Sequence, residues 1–481
     1  MELKVLRSFM NHNRSVVVFT LTSTLILLAG SICATVFHLD FLSFKNINLI
    51  ADVVHEKVAP DAPVVAAVQA TSSMSAPVSS MTQMPAVAFD QYMLQKTLVH
   101  FNDDTTRPAL PMLMEKFQKL KNGDKAKVRI AWLGDSMIEG DLVTQTFRKQ
   151  LQQIFGGYGV GFVPAQSVTA QYRTTVKHSW NGDWTEETFK DKALTAPLFF
   201  SGHTFFTENG TITLTDATSK DSTRILDKYL ICGKADGKVS IEVNGQQRDF
   251  TANNKINRIL LDSSNKAAVS LKINNKKLPV YGMSMEPQRG VVVDNFSFRG
   301  ITGLELGKID TTVLQQMSNE NDYDLVVMEY GANLMFRPDD KDYSWYEKKM
   351  EAVIKQLRKS MPNTEFLIVS TADRAFRYND VWQSAVGIDS LVKTQAELAF
   401  HNNTAFYNMY ASMGGANTIV NWAAASPSLA NKDYIHPNQR GAEILGKLLS
   451  DAFVKEYNKI QTKPAVTAQG PAATQNVRNR K

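Results

Sequence analysis

Residues 127–141, KVRIAWLGDSMIEGD, read as a buried strand that breaks into a tight turn. Val128, Ile130 and the residues around them form a short apolar run, which stops at Gly134-Asp135-Ser136. The following stretch, DLVTQTFRKQLQQIF, carries apolar residues at helical spacing with polar ones between them. Ser136 therefore stands at a strand-to-helix junction, behind a glycine that permits the turn. A hydroxyl so placed points out of the sheet edge, near a helix N-terminus whose free N–H groups stabilise an oxyanion. An N-cap serine would carry the same tripeptide, so the rest of the chain has to supply a base.

Of the eight histidines, His436 alone has a supportive context: Asp433-Tyr434-Ile435-His436-Pro437, followed by the helix-like NQRGAEILGKLLSDAF. An Asp three residues before a His, in a loop entering a helix, places both side chains on one side, where the carboxylate orients the imidazole. Two segments fall between Ser136 and His436. VVVDNFSFRGITGLELG leads a strand into Arg299-Gly300-Ile301-Thr302-Gly303, and DYDLVVMEYGANLMF ends a strand at Gly331-Ala332-Asn333. A glycine N–H and an asparagine amide at the carboxyl ends of successive parallel strands are the donors an acyl-transfer site needs. EFLIVSTADR and TAFYNMYA continue the strand–helix alternation, and PALPMLMEKFQKL (108–120) predicts an amphipathic helix ended by Asn122-Gly123.

These four blocks, GDS, a glycine block, GxN and DxxH, resemble those of the SGNH (GDSL-type) hydrolases, serine esterases with a flavodoxin-like α/β core and a parallel sheet. Carried over by position, the resemblance implies Ser136 as nucleophile, Asp433 and His436 as the rest of a triad, and Ser136, Gly303 and Asn333 as oxyanion donors. It implies no metal and no cofactor. Leu334 stands where many members have Asp. The α/β-hydrolase elbow GxSxG is absent from the sequence.

Ser136 and Gly303 lie 167 residues apart, where the family uses a few tens. Residues 173–293 change character: TITLTD, KVSIEVNG, INRILLD and AAVSLKINN alternate with turn residues, and Asn244-Gly245 and Asn274-Asn275 mark hairpins. They predict an inserted β-sandwich, similar to the carbohydrate-binding-module-like insertion of peptidoglycan O-acetylesterases. Trp180, Trp184, Phe199, Phe200, Phe205 and Phe206 within it read as core, or in part as a sugar-stacking platform. Arg374 and Arg377 follow the fourth strand, as loop cations or as contacts for an anionic group. FGGYGVGF (155–162) lacks the GK[ST] of a phosphate loop and reads as a turn at the cleft wall.

Before the folded part, residues 16–37 run without a charge, about 33 Å as a helix and enough to cross a bilayer. Three Lys/Arg precede them, which predicts an uncleaved inner-membrane anchor, N-terminus in the cytoplasm and the rest periplasmic. A signal peptide cleaved after Ala34 is the alternative. The Ala/Pro/Ser-rich stretch 38–88 reads as a tether. The net charge of +6 lies in residues 1–15 and 463–481; the chain between is balanced, which gives no basic face for nucleic acid. The expected organisation is 1–15 cytoplasmic, 16–37 anchor, 38–88 tether, 89–172 first half of the core, 173–293 insert, 294–462 second half, and 463–481 a disordered tail. The expected function is a membrane-tethered serine esterase removing O-acetyl groups from an envelope polysaccharide, peptidoglycan first. A polysaccharide O-acetyltransferase with the same triad and a non-catalytic glycan-binding protein are the alternatives.

Overall fold

The structure, a computed structural model, describes Thr22 and residues 95–100, 107–218, 221 and 223–461. The proposed anchor (apart from Thr22), the tether and the tail 463–481 lie outside the described residues. Among the described residues no helix is long and apolar enough to cross a membrane.

Six strands form the central sheet: β1 (Leu98–His100), β2 (Lys127–Gly134), β3 (Gly290–Ser297), β4 (Leu325–Glu329), β5 (Glu365–Val369) and β6 (Ala405–Tyr407), in spatial order β1-β6-β5-β4-β2-β3. β1 is an antiparallel edge; the other five are parallel. The chain fills those five in the order second, first, third, fourth, fifth, so β2 is flanked by β3 on one side and β4 on the other. That is a flavodoxin-like switch point, where ligands bind beyond the carboxyl ends of the strands. Register makes the switch sharp, because Gly134 stands level with Ser297 and with Glu329. All three chains leave the sheet at the same height.

The strand's two-residue period sorts its side chains into two layers. Val128, Ile130 and Trp132 pack in one buried cluster with helices α1 (Pro111–Asn122), α2 (Leu142–Phe155) and α6 (Gln439–Gln461). Ala131 and Leu133 pack in the other with α3 (Thr311–Asn321), α4 (Ser344–Ser360) and α5 (Ile388–His401). The apolar spacing of α2 explains its side: Val143, Phe147, Leu151 and Phe155, four residues apart each, are buried. α1 begins at Pro111 rather than Pro108, with the proline at the first helical turn, and ends where Gly123 adopts φ 98°.

Two expectations need correction. The insert is one continuous nine-stranded antiparallel sheet rather than a sandwich of two. It is barrel-like, because strands from opposite ends of the sheet share one buried cluster: Val239, Ile241 and Val243 with Leu261. The two-residue loop Asn244-Gly245 does close a hairpin, with φ 51° and 80°. Asn274-Asn275 does not: the strand before it pairs with 210–215 and 241–243, the strand after it with 226–232 and 161–164. The chain crosses the sheet there instead of reversing.

The insert's sheet also reaches back before residue 173, since Gly161–Pro164 pairs with Gly282–Met285. The glycine run packs closely at this seam: a Cβ on Gly157 would lie 2.7 Å from the Val291 nitrogen on β3. A buried carboxylate makes the second join. Glu286, on an insert strand, is fully buried and pairs with Arg129 of β2 (Nη1 to Oε1 3.1 Å), with Lys127 of β2 (3.2 Å) and with Arg258 of the insert. Burial alone would push its carboxyl up; Arg129 and Arg258 outweigh it and hold the group well below the usual carboxylate range.

Removing one member of a buried ion cluster leaves the others uncompensated. Glu286→Gln is therefore expected to cost about 3–5 kcal/mol of unfolding free energy, read as a shifted urea midpoint. Core and insert are expected to melt in one transition.

Candidate active site

Ser136 lies just past β2, half-buried, in a turn rather than at a helix N-terminus. α2 begins only at Leu142, after a short 3₁₀ turn at Glu139–Asp141 in which Gly140 and Asp141 adopt φ 72° and 67°. The turn has its own bonds: the Met137 N–H donates to Asp135 Oδ1 (2.9 Å) and the Glu139 N–H to the Ser136 carbonyl (3.3 Å). Helix N-terminal stabilisation of Ser136 is thereby set aside, and the donors have to come from the turn and the neighbouring loops.

The base arrives from the far end of the chain. Ser136 Oγ is 2.8 Å from His436 Nε2, and His436 Nδ1 is 2.7 Å from Asp433 Oδ2. With Nδ1–H donating to the carboxylate, Nε2 is the acceptor that faces the serine. Asp433 Oδ1 accepts the backbone N–H groups of Ile435 and His436, both at 3.0 Å. Burial raises the Asp433 carboxyl, but the His436 backbone and ring bonds and the Ile435 N–H overcome that and hold it below the usual range. The three-residue spacing in DYIH thus gives the carboxylate one oxygen for the backbone turn and one for the imidazole. The loop is further held by the Ala375 N–H donating to the Tyr434 carbonyl (2.9 Å) and by Tyr434 stacking on Trp382 at 4.2 Å between ring centroids.

The remaining blocks meet beside the serine turn. Gly303 takes φ 90°, and a Cβ there would come within 2.7 Å of the Tyr330 ring, so no other residue fits without displacing that ring. Asn333 Nδ2 donates both its hydrogens, to Asp135 Oδ2 (2.9 Å) and to the Ile301 carbonyl (2.9 Å). The amide assigned by sequence to an oxyanion is, in the resting site, a tie between the first block and the second. Leu334 is buried in the core. Arg374 turns inward, donating to the Ala332 carbonyl (2.6 Å) and lying over the Phe376 ring, whereas Arg377 faces Asp380 across its hairpin turn (3.4 Å).

Sequence reading singled out no role for Asp135 or Glu329. Both are buried beneath the site. Desolvation pushes Asp135 up to about 6 and Glu329 up to about 8, the latter helped by the nearby Asp135 charge and opposed by the Trp132 indole N–H at 3.0 Å. Glu329 Oε1 has no partner, which fits a protonated carboxyl. An acidic residue at the last position of a buried strand was the available signal. Among the described residues no group of three or more His, Cys, Asp or Glu is placed to hold a metal.

No family model and no curated protein matches the sequence. Among solved structures, a peptidoglycan O-acetylesterase matches with a TM-score of 0.63 and 22% identity, over 75% of this chain and 99% of that one. The chain shares the fold of that protein. A family two carbohydrate esterase from Cellvibrio japonicus (TM-score 0.25, 10% identity, 59% of this chain and 99% of that one) and an acetyl xylan esterase (0.25, 17%, 34% and 81%) are slighter likenesses and carry no argument. The 75% of this chain that is matched by the peptidoglycan O-acetylesterase exceeds the core segments 89–172 and 294–462 taken alone, so the likeness extends into the β-insert.

The folded chain keeps the Glu329 proton between its ordinary 4.5 and about 8, while the unfolded chain gives it up. Its contribution to stability therefore falls as pH rises across that window. Glu329→Gln, which has no proton to lose, is expected to flatten this slope: melting temperatures at pH 6 and pH 9 should differ less in the variant than in the parent chain.

Proposed function

We propose that this chain is a serine esterase that removes O-acetyl groups from a cell-envelope polysaccharide, peptidoglycan first among them, held outside the inner membrane by residues 16–37. The observation that carries the reading is the relay Asp433–His436–Ser136 at 2.7 and 2.8 Å. The fold shared with a peptidoglycan O-acetylesterase supports the choice of substrate.

In this mechanism His436 Nε2 takes the Ser136 proton as Oγ attacks the acetyl carbonyl carbon, and Asp433 stabilises the imidazolium. The tetrahedral oxyanion rests on the backbone N–H groups of Ser136 and Gly303 and on Asn333 Nδ2, whose resting bond to Ile301 or Asp135 becomes shared. The carbon–oxygen bond to the sugar breaks as His436 returns its proton to the sugar oxygen. Water, deprotonated by His436, then attacks the acetyl-enzyme; the carbon–Oγ bond breaks, His436 returns the proton to Ser136 Oγ, and acetate leaves. The chemistry needs no metal or cofactor.

Ser136→Ala and His436→Ala are each expected to lower turnover of a small aryl acetate by about 10³-fold or more, with melting temperatures unchanged. Asn333→Ala should cost about 10²–10³-fold in kcat and also lower the melting temperature, because it cuts the tie between blocks. Wild-type rates in the Ser136 and His436 variants would refute the site. Mass spectrometry of acetylated glycan fragments separates the alternatives: loss of acetyl with free acetate is expected, and Ser136-dependent gain of acetyl on an acceptor would make the chain a transferase.

A further inference from the structure

A cavity of about 310 Å³ lies on the insert side of the Ser136 turn. Its core wall includes Glu139, whose N–H bonds the Ser136 carbonyl, and Arg299 from the second block. Its insert wall is the long hairpin 176–188 with 203–216, which contributes His178, Trp180 and His203, and the loop joining its two strands contributes Ser201. Ser136, His436 and Asp433 do not line it.

The charges in this wall are largely matched among themselves. Arg299 Nε donates to Glu139 Oε2 at 2.8 Å, Glu186 pairs with His203, and Asp141 holds Arg148 (2.7 Å) and Arg173 (3.3 Å). What is left over is neutral. Ser201 is 2% exposed, and its Oγ has no hydrogen-bond partner. His178 gives its Nε2 hydrogen to the Ala165 carbonyl at 3.1 Å, and burial lowers its pKa to about 4, so the ring is neutral and Nδ1 is a bare acceptor. Trp180 packs on His178 at 4.8 Å and keeps 37% of its surface exposed. Of the aromatic residues named from the sequence as a possible platform, Phe199, Phe200 and Phe205 are core; Trp180 is the one that is both exposed and at a cavity.

An anion in this cavity would meet no unpaired cation in its depth; Lys190 sits at the surface. An apolar ligand would leave the Ser201 hydroxyl and the His178 nitrogen dry and unbonded. A pyranose ring satisfies both requirements, with a C–H face for the indole and a rim of hydroxyl or amide groups for the serine and histidine. The volume is at the small end of ligand pockets, roughly 300–1,000 Å³, and takes one ring rather than a chain. We propose that this cavity is a neutral saccharide subsite, which seats the sugar adjoining the acetylated one so that the ester is presented to Ser136. The role in presentation rests on the esterase reading above; the binding of a sugar ring does not.

Two measurements keep those apart. In the full chain carrying Ser136→Ala, a soluble β-1,4-linked tri-N-acetylhexosamine should quench tryptophan fluorescence and bind by calorimetry, and Trp180→Ala should weaken that binding at least tenfold. No binding, or binding unaffected by Trp180→Ala, overturns the subsite whatever the chemistry. In the chain with an intact triad, Trp180→Ala and Ser201→Val should raise KM for O-acetylated glycan fragments at least tenfold while leaving kcat, and aryl-acetate turnover, within about threefold. Equal losses on both substrates would mean that the cavity wall only supports the fold, and would overturn its role in presentation. Trp180 is exposed, so its variant should fold even if the buried Ser201→Val does not. A parent chain inactive on every ester would instead refute the esterase reading, with the calorimetry still deciding the sugar site.

Discussion

One side-chain amide holds the site together. Asn333 gives one hydrogen to the carboxylate beside the nucleophile and the other to the carbonyl of Ile301. Those partners come from the ends of β2 and β3, and Asn333 itself follows β4, so the amide spans three adjacent strands. Only a sheet in which the first strand is flanked by the second and third, with their ends level, puts those atoms within one amide's reach. Arg374, bonding the Ala332 carbonyl, and the Ala375 N–H, bonding Tyr434, extend the same mesh to the loop that carries His436.

Three carboxylates around this mesh differ because their surroundings differ. Asp433 is partly open to water and accepts two backbone N–H groups, so it stays ionised and serves the imidazole. Asp135 and Glu329 are sealed beneath the turn, where desolvation raises both and the Asp135 charge raises Glu329 further. A buried acid that holds its proton contributes shape and a hydrogen bond at less electrostatic cost than a buried charge. With Glu329 holding its proton, the site keeps charge on Asp433, where it acts, without a second buried charge facing Asp135.

Much of this was legible in the sequence because it is local. A buried strand ending in GDS, an Asp three residues before a His, and glycine or asparagine at strand ends are short patterns whose geometry follows from backbone rules. The triad's distant members come together because the sheet order gathers those ends. What sequence reading could not supply depends on partners far apart along the chain. Glu286 meets Arg129 across 157 residues, and nothing local distinguishes it from a solvated glutamate. The crossing at Asn274-Asn275 has the composition of a hairpin turn but not its strand pairing. Ser136 stands in a turn apart from α2 because Gly140 and Asp141 break the backbone between the nucleophile and Leu142, the first residue of the helix. Trp180 and Phe199 likewise look alike in sequence and part company only when one is packed and the other is not.

The Glu286 cluster has a bearing on how such a chain could be rebuilt. Two of its cations belong to the nucleophile's own strand and the carboxylate to the inserted sheet. The insert is thus not a cassette that can be lifted out and exchanged for another module at its two ends. A graft would strand Lys127 and Arg129 in an apolar seam, directly behind the strand that presents Ser136. Any lineage or designer that swaps the accessory sheet has to rewrite the catalytic strand in the same step, so the two halves of this molecule are bound to change together.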